Sequence, residues 1–352
     1  YLGANVNIVN ASIKSGAEVY GDTLQVIADT NNINVAIAAA ATKAGGFGFA
    51  GSIGAVVVVN DTNAYIDGDA KIVTGNGTID GTDATVLVKA DDFSLVVNVA
   101  GSIAIASDTA IGISGAVNVV VRTTTAQIGN DDDLAPTGYI VSDGNISVTA
   151  GKYGGIVAVA AAGSKQDGDT GQEGKVGKFT RDAGNVLTYI PRTLGTKLLQ
   201  KLPGGNDGVK ETGNLFGKEI NWSETNKGLR DKLKAKDFKP GEKHKAKFGL
   251  AVSGAVSVNV AIGETEALVS NAIITDANGL YVKSENGSGI VSVAGSLSLS
   301  GSETEKGLAL AGAANVNVVV GDTKAKIENS SVQVSGNIYV TSLTAGGVVD
   351  VS

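Results

Sequence analysis

The chain has 352 residues, of which 49 are glycine and four are proline, and its 43% of hydrophobic residues come mostly from alanine, valine and isoleucine. Cysteine and methionine are absent, which excludes disulfides and thiolate chemistry. The net charge of −7 divides into +7 over residues 165–248, which hold 18 of the 28 basic residues, and −14 over the remainder.

The sequence repeats itself from its first residues. Ala4-x-Val6-x-x-Val9-x-Ala11-x-Ile13 is a worn copy of a signal that returns as Val57-x-Val59-x-x-Thr62-x-Ala64-x-Ile66, within Val117 to Ile128, as Val260-x-Ile262-x-x-Thr265-x-Ala267-x-Val269 and as Val318-x-Val320-x-x-Thr323-x-Ala325-x-Ile327. A second signal follows each of these and ends at Ala28, Ala90, Ala150, Ser284 and Ser342. A third, rich in valine and isoleucine, has a small residue ten positions later at Ala38, Ala100, Ala160 and Ala294, and twice reads Val-Ala-Gly-Ser (Val99 to Ser102, Val293 to Ser296). The period-two alternation describes half-buried strands, with Val, Ile and Ala on one face and Asn, Thr, Ser, Lys and Arg on the other.

The unit measures 53 residues from Ala11 to Ala64, 62 from Ala64 to Ala126 and 58 from Ala267 to Ala325, but 141 from Ala126 to Ala267. The excess places an insertion at 165–248, between repeats over 1–164 and repeats that continue over 249–352. With three strand signals per unit and no helical crossover, the reading is an all-β, right-handed parallel β-helix, with roughly 20 residues to a turn and about 4.8 Å of advance. Stacked ladders of Val, Ile and Ala would fill it, the small residues of Ala38 to Gly51 would let backbones approach closely, and Gly75 to Asp83 and Asp131 to Gly138 would be edge loops. An antiparallel sandwich is the alternative, with Asn76-Gly77 and Asn286-Gly287 as hairpin turns. The chain begins at Tyr1 and stops at Ser352 within repeats, so it reads as part of a longer protein whose copies, or neighbouring repeats, would stack head to tail.

No transmembrane segment is expected. The most apolar runs, Val35 to Ala41 and Ile156 to Ala162, fall far short of the ~20 residues a membrane helix needs, and the 16 aromatics are too scattered for the girdles of a barrel. The insertion differs from everything around it: it holds Trp222, His244 and three of the four prolines. Val186, Leu187, Ile190, Leu194, Leu198 and Leu202 approximate helical spacing, and Gly228 to Lys239 reads as a short basic helix, so a partly helical excursion is expected there. Its charge points to contact with the acidic body or a polyanion such as a glycan. Specific nucleic-acid binding is not expected, because aromatic residues for stacking on bases are almost lacking.

Catalytic chemistry has little to build on. His244 lies between two lysines in a basic run, no thiol exists, and no Gly-x-Ser-x-Gly elbow occurs, so no catalytic, cofactor-binding or metal residue is assigned. Asp67-Gly68-Asp69, Asp131 to Asp133 and Asp167-Gly168-Asp169 offer oxygens for a weak calcium site, although ordinary turn chemistry accounts for Asp-Gly. Asn-x-Ser/Thr triplets at Asn10, Asn60, Asn76, Asn145, Asn221, Asn286 and Asn329 are candidate glycan acceptors.

The Val-Ala-Gly-Ser and Val-x-Val-x-x-Thr-x-Ala-x-Ile signals resemble the repeat passenger regions of very large exported bacterial adhesins, leukotoxin-like and filamentous-haemagglutinin-like. The resemblance covers the chain outside Lys165 to Phe248. It implies a right-handed parallel β-helix, export across the outer membrane and a role in attachment, with a glycan or another cell-surface receptor as partner, and it carries over no functional residue. The rival from a different class is a carbohydrate-active β-helix enzyme, which requires a groove where carboxylates and basic residues converge.

Overall fold

The structure, a computed structural model, describes residues 1–130, 135–167, 212–215, 218–221, 249–301 and 307–352. The first repeat forms β1 (Leu2–Ile13), β2 (Glu18–Gly21) and β3 (Leu24–Ala44); the second β4 (Phe47–Ile66), β5 (Lys71–Thr74) and β6 (Ala84–Ala106). The third forms β7 (Thr109–Gly129), β8 (Tyr139–Ser142) and β9 (Asn145–Asp167). Within the insertion lie β10 (Thr212–Leu215) and β11 (Lys218–Asn221), paired antiparallel. The fourth repeat forms β12 (Gly249–Ser270), β13 (Ile273–Ala277) and β14 (Gly279–Gly301); the fifth β15 (Gly307–Glu328), β16 (Ser331–Val334), β17 (Ile338–Thr344) and β18 (Val348–Val351). Among the described residues there is no helix, and so none long and apolar enough to cross a membrane.

The repeats build three sheets of parallel strands. The first runs β1-β4-β7-β12-β15, the second β16-β13-β8-β5-β2 and the third β17-β14-β9-β6-β3, with β18 also paired to β14. Each repeat thus adds one long strand, one short strand and one long strand, and the chain then returns to the first sheet. The register is the one the repeats imply: Ala11, Ala64, Ala126, Ala267 and Ala325 are successive partners in the first sheet. Ala28, Ala90, Ala150, Ser284 and Ser342 are partners in the third, as are Ala38, Ala100, Ala160 and Ala294. The antiparallel sandwich is excluded for the repeats. Asn76-Gly77 lies in the loop between β5 and β6, and Asn286-Gly287 lies inside β14.

Two sequence expectations need correction. A repeat adds one layer to the three sheets with its whole length of 53 to 62 residues, rather than one turn for every 20 or so, because the second and third signals are halves of a single strand of 21 to 23 residues. The short second-sheet strands fall between the first and second signals. The valines of the first signal also point the other way from its Thr, Ala and Ile: Val58, Asn60, Thr62, Ala64 and Ile66 face inward and are buried, whereas Val57 and Val59 lie on the outward face. The three-residue step from Val59 to Thr62 changes parity, and parity sets the face in a strand. Lys165 to Asp167 belong to β9 and pair with Leu299 to Gly301. The helical readings at Val186 to Leu202 and Gly228 to Lys239 lie outside the described residues.

The inward faces of the first and third sheets stack on one another, and the filling changes along the strands. Where the three sheets meet, Ile66, Ile72, Ile128, Ile140, Ile146, Ile274 and Leu280 form the widest apolar cluster. Farther along, Val56, Val58, Ala100, Ala116, Ile156 and Ala160 pack more closely. At the far end only Ala50, Ala104, Ala106 and Ala110 remain. There the sheets nearly touch, and a Cβ on Gly112 would meet the Gly163 carbonyl oxygen at 2.3 Å. The long strands close on each other through Gly45-Gly46 and Ser107-Asp108.

Polar ladders cross this interior. Asn98 of the second repeat donates to Asn118 (2.9 Å), and in the first sheet Asn118 donates to Asn259 (2.7 Å) and Asn259 to Asn317 (2.8 Å), so amide stacks on amide through the third, fourth and fifth repeats. Each bond satisfies a group whose burial alone would cost about 1–3 kcal/mol. Replacing Ile128, buried between Ile66 and Val269, with alanine is expected to cost about 2–5 kcal/mol in denaturant unfolding. The same change at outward Ile113 should stay within about 0.5 kcal/mol.

Candidate functional site

Midway along the long strands the inward ladders become charged. In the first sheet one rung reads Asn60, Arg122, Gly263, Gly321, and the rung facing it in the third sheet reads Asp92, Lys152, Asn286, Thr344. Strand parity forces these side chains inside: Arg122 precedes Thr124 by two positions, and Asp92 and Lys152 follow Ala90 and Ala150 by two. Asp92, Arg122 and Lys152 are 0%, 3% and 4% exposed.

The Asp92 carboxylate accepts hydrogen bonds from Asn60 Nδ2 (3.1 and 3.2 Å) and Ser94 Oγ (2.9 Å), and lies 3.9 Å from Arg122. Arg122 donates to the Tyr153 carbonyl (2.7 Å) and to Ser288 Oγ. The guanidinium therefore ties the second, third and fourth repeats together. Gly263 and Gly321 continue the Arg122 rung because nothing larger fits: a Cβ on Gly263 would lie 2.1 Å from the Arg122 carbonyl oxygen and 3.1 Å from Lys152 Nζ. The space left by these glycines is a cavity of 240 Å³ with Arg122 and Lys152 at one end and Val120, Ile156, Ile290 and Val319 among its walls.

Burial dominates the electrostatics. It raises Asp92 above the usual carboxylate range, against the opposing pull of Arg122, and it lowers Arg122. Lys152 is lowered from 10.5 to about 8, first by burial and then by repulsion from Arg122, with Asp92 and Glu264 opposing. Two buried cations thus face one buried carboxylate that already accepts from Asn60 and Ser94. The arrangement can fix register, hold an anion or water in the cavity, and exchange a proton at Lys152. It does not pair two carboxylates for glycoside chemistry.

The structure also places the residues singled out from the sequence. Asp67 Oδ1 accepts the Asp69 N–H (3.0 Å), and Asp69 Oδ1 accepts both the N–H and the hydroxyl of Thr137 (each 2.8 Å), so these carboxylates hold turns between repeats. Those Thr137 bonds keep Asp69 below the ordinary carboxylate range. Among the described residues no three His, Asp or Glu side chains come together. Asp131 to Asp133, Asp169 and His244 lie outside the described residues. Asn60 is buried against Asp92 and has no room for a glycan, while Asn329 is exposed with φ 49°. The Asp92, Arg122 and Lys152 cluster was missed in the sequence, although counting in twos from Ala90, Thr124 and Ala150 finds it.

Comparison with family models, with characterised proteins and with solved structures gave no match.

Between pH 8 and 10 the unfolded chain retains a proton on Lys152 that the folded chain has released, so this residue favours folding increasingly as pH rises through that window. Tyr153, raised by burial, opposes the trend above pH 10, where the unfolded tyrosine ionises first. The denaturation midpoint should therefore climb from pH 8 to 10, and Lys152→Met should remove the climb; an unchanged slope in the variant would refute this assignment. Asp92→Asn should cost about 3–5 kcal/mol at neutral pH, because it leaves two buried cations uncompensated.

Proposed function

We propose that the chain is a structural and adhesive segment of a right-handed β-solenoid, acting at the outside of a bacterial cell as a stalk that carries contact surfaces. The observation that carries this reading is the register: equivalent residues of five repeats are strand partners in both long sheets. A body built this way lengthens by one strand spacing, about 4.8 Å, for every repeat added. The resemblance of the repeats to adhesin passenger regions supplies the extracellular setting and the attachment role. Phe49, Ile53, Ile113 and Val256, exposed on the outer face of the first sheet, and the insertion offer surfaces to a glycan or another receptor.

Association of copies is a second reading with its own observation. Among the described residues the outer edges of the first and fifth repeats have no ladder partner, and Val6, Ile8, Leu308 and Val340 are exposed there. Stacking at these edges would rest on backbone hydrogen bonds and apolar contact, so it would survive high salt, whereas contact through the basic insertion would not.

Two measurements test the proposal. Tandem fusions of the chain, sized by small-angle scattering, should lengthen by about 24 Å per copy, which is five strand spacings, at constant width; growth in width would exclude a stalk. Surfaces coated with the purified chain should retain glycan-bearing cells, and turnover of uronic-acid or neutral polysaccharides by the same preparation would replace the adhesive reading with the enzymatic one.

A further inference from the structure

The cavity beside Arg122 and Lys152 has a direction. Its charged end lies in the third repeat, and two apolar ladders run from there to the fifth: Val120, Ala261 and Val319 along the first sheet, and Ile156, Ile290 and Val348 along the third. Ile156 and Ile290 are buried, whereas Val319 and Val348 are 58% and 49% exposed, so among the described residues the cavity deepens from the fifth repeat towards the cations. An interruption builds its mouth. The third-sheet strand that is continuous in β9 and β14 breaks in the fifth repeat at Ala345 to Gly347, between β17 and β18, and a Cβ on Gly347 would meet nothing within 4 Å.

The charges at the deep end do not balance. Arg122 and Lys152 share one buried carboxylate, Asp92, while Glu264, the other acid that acts on Lys152, lies on the exposed outer face of β12. Arg122 is held by the Tyr153 carbonyl and Ser288. Lys152 Nζ has no hydrogen-bond or ion-pair partner among the described residues, although its side chain is buried and lines the cavity. An ammonium lowered only to about 8 is still charged at neutral pH, and a buried charge is costly until it is paired. One negative charge brought to this end would pair it.

Size and lining limit what can bring that charge. The distance from the Lys152 layer to the fifth repeat is two strand spacings, about 9.6 Å. A cavity of about 150 Å³ takes a six-carbon ring, so 240 Å³ admits about ten non-hydrogen atoms. An inorganic anion would satisfy the cations and leave the apolar ladders facing water, and a neutral apolar molecule would do the reverse. We propose that the cavity is a binding site for a small monocarboxylate with an unbranched tail of about seven carbons, its carboxylate against Arg122 and Lys152 and its tail along Ile156, Ile290 and Val348. The site is independent of the adhesive reading: a stalk needs no ligand, and a ligand here would join three repeats from the inside.

Titration calorimetry on the full chain at neutral pH, with octanoate, 1-octanol and inorganic phosphate, tests the proposal. Octanoate should bind saturably at one site per chain, and octanol, with the tail alone, and phosphate, with the charge alone, should each bind at least about 10-fold more weakly. Lys152→Met removes the unpaired ammonium, leaves Asp92 with Arg122, and should weaken octanoate by about 10-fold or more. Val348→Trp, at the exposed mouth, should weaken it as much by blocking entry, with the β circular dichroism unchanged. Absence of saturable octanoate binding would overturn the proposal. So would equal affinity for phosphate, which would make the cavity an anion site only, or for octanol, which would make it an apolar one. Octanoate binding untouched by Lys152→Met would overturn it too and place the ligand on the exposed apolar surface of the first sheet. If Lys152→Met fails to fold, Val348→Trp decides in the same way, since unchanged affinity in that variant excludes the cavity.

Discussion

The constraint on which everything else depends is that each inward residue must tolerate its own equivalent one strand spacing above and below. Parallel strands in register place like on like, about 4.8 Å apart. Residues that satisfy this are those whose self-contact is favourable or neutral: isoleucine on isoleucine at the three-sheet junction, alanine on alanine at the narrow end, and asparagine on asparagine where the amide can both donate and accept. A charged residue does not satisfy it. The Arg122 rung accordingly contains a single arginine, flanked by Asn60 on one side and glycines on the other, and the facing rung alternates Asp92 with Lys152 before passing to neutral residues.

That rule explains which parts of the molecule were legible in the sequence. Identity at a fixed interval is the direct imprint of like stacking on like, so the partners Ala11 to Ala325 follow from the sequence alone. The architecture within a repeat was harder to read. A strand that passes 21 to 23 residues without a turn presents two apolar signals, and the eye separates them where the small residues Gly154-Gly155 and Gly287 to Gly289 interrupt the valines. The short strands β2, β5, β8, β13 and β16, of four or five residues, are too brief to carry a period of their own.

The candidate site was hidden for a related reason. Composition treats Asp, Arg and Lys as surface residues, and one such residue per strand does not disturb the alternation of its neighbours. Only the parity of its position, counted from a residue known to be buried, reveals that it points inward. The outer face of the third sheet escapes the same rule in reverse: alternation implies one wet face, whereas Val96-Val97 and Val157-Ala158 are apolar and buried on both sides.

The direction of the ladder hydrogen bonds has a mechanical consequence. They run from repeat to repeat, along the line in which the body lengthens, while the covalent backbone runs across it. Tension spread over a layer along that line loads its ladder bonds together. At the boundary between the second and third repeats it is shared by roughly twenty paired positions in each long sheet and four in the short one, together with Arg122, whose guanidinium spans from Asp92 to Ser288 across two boundaries. Rupture there requires the simultaneous loss of a whole layer, which makes the stack stiff and brittle under a pull and compliant only where a layer is narrow, as at β1 and β17.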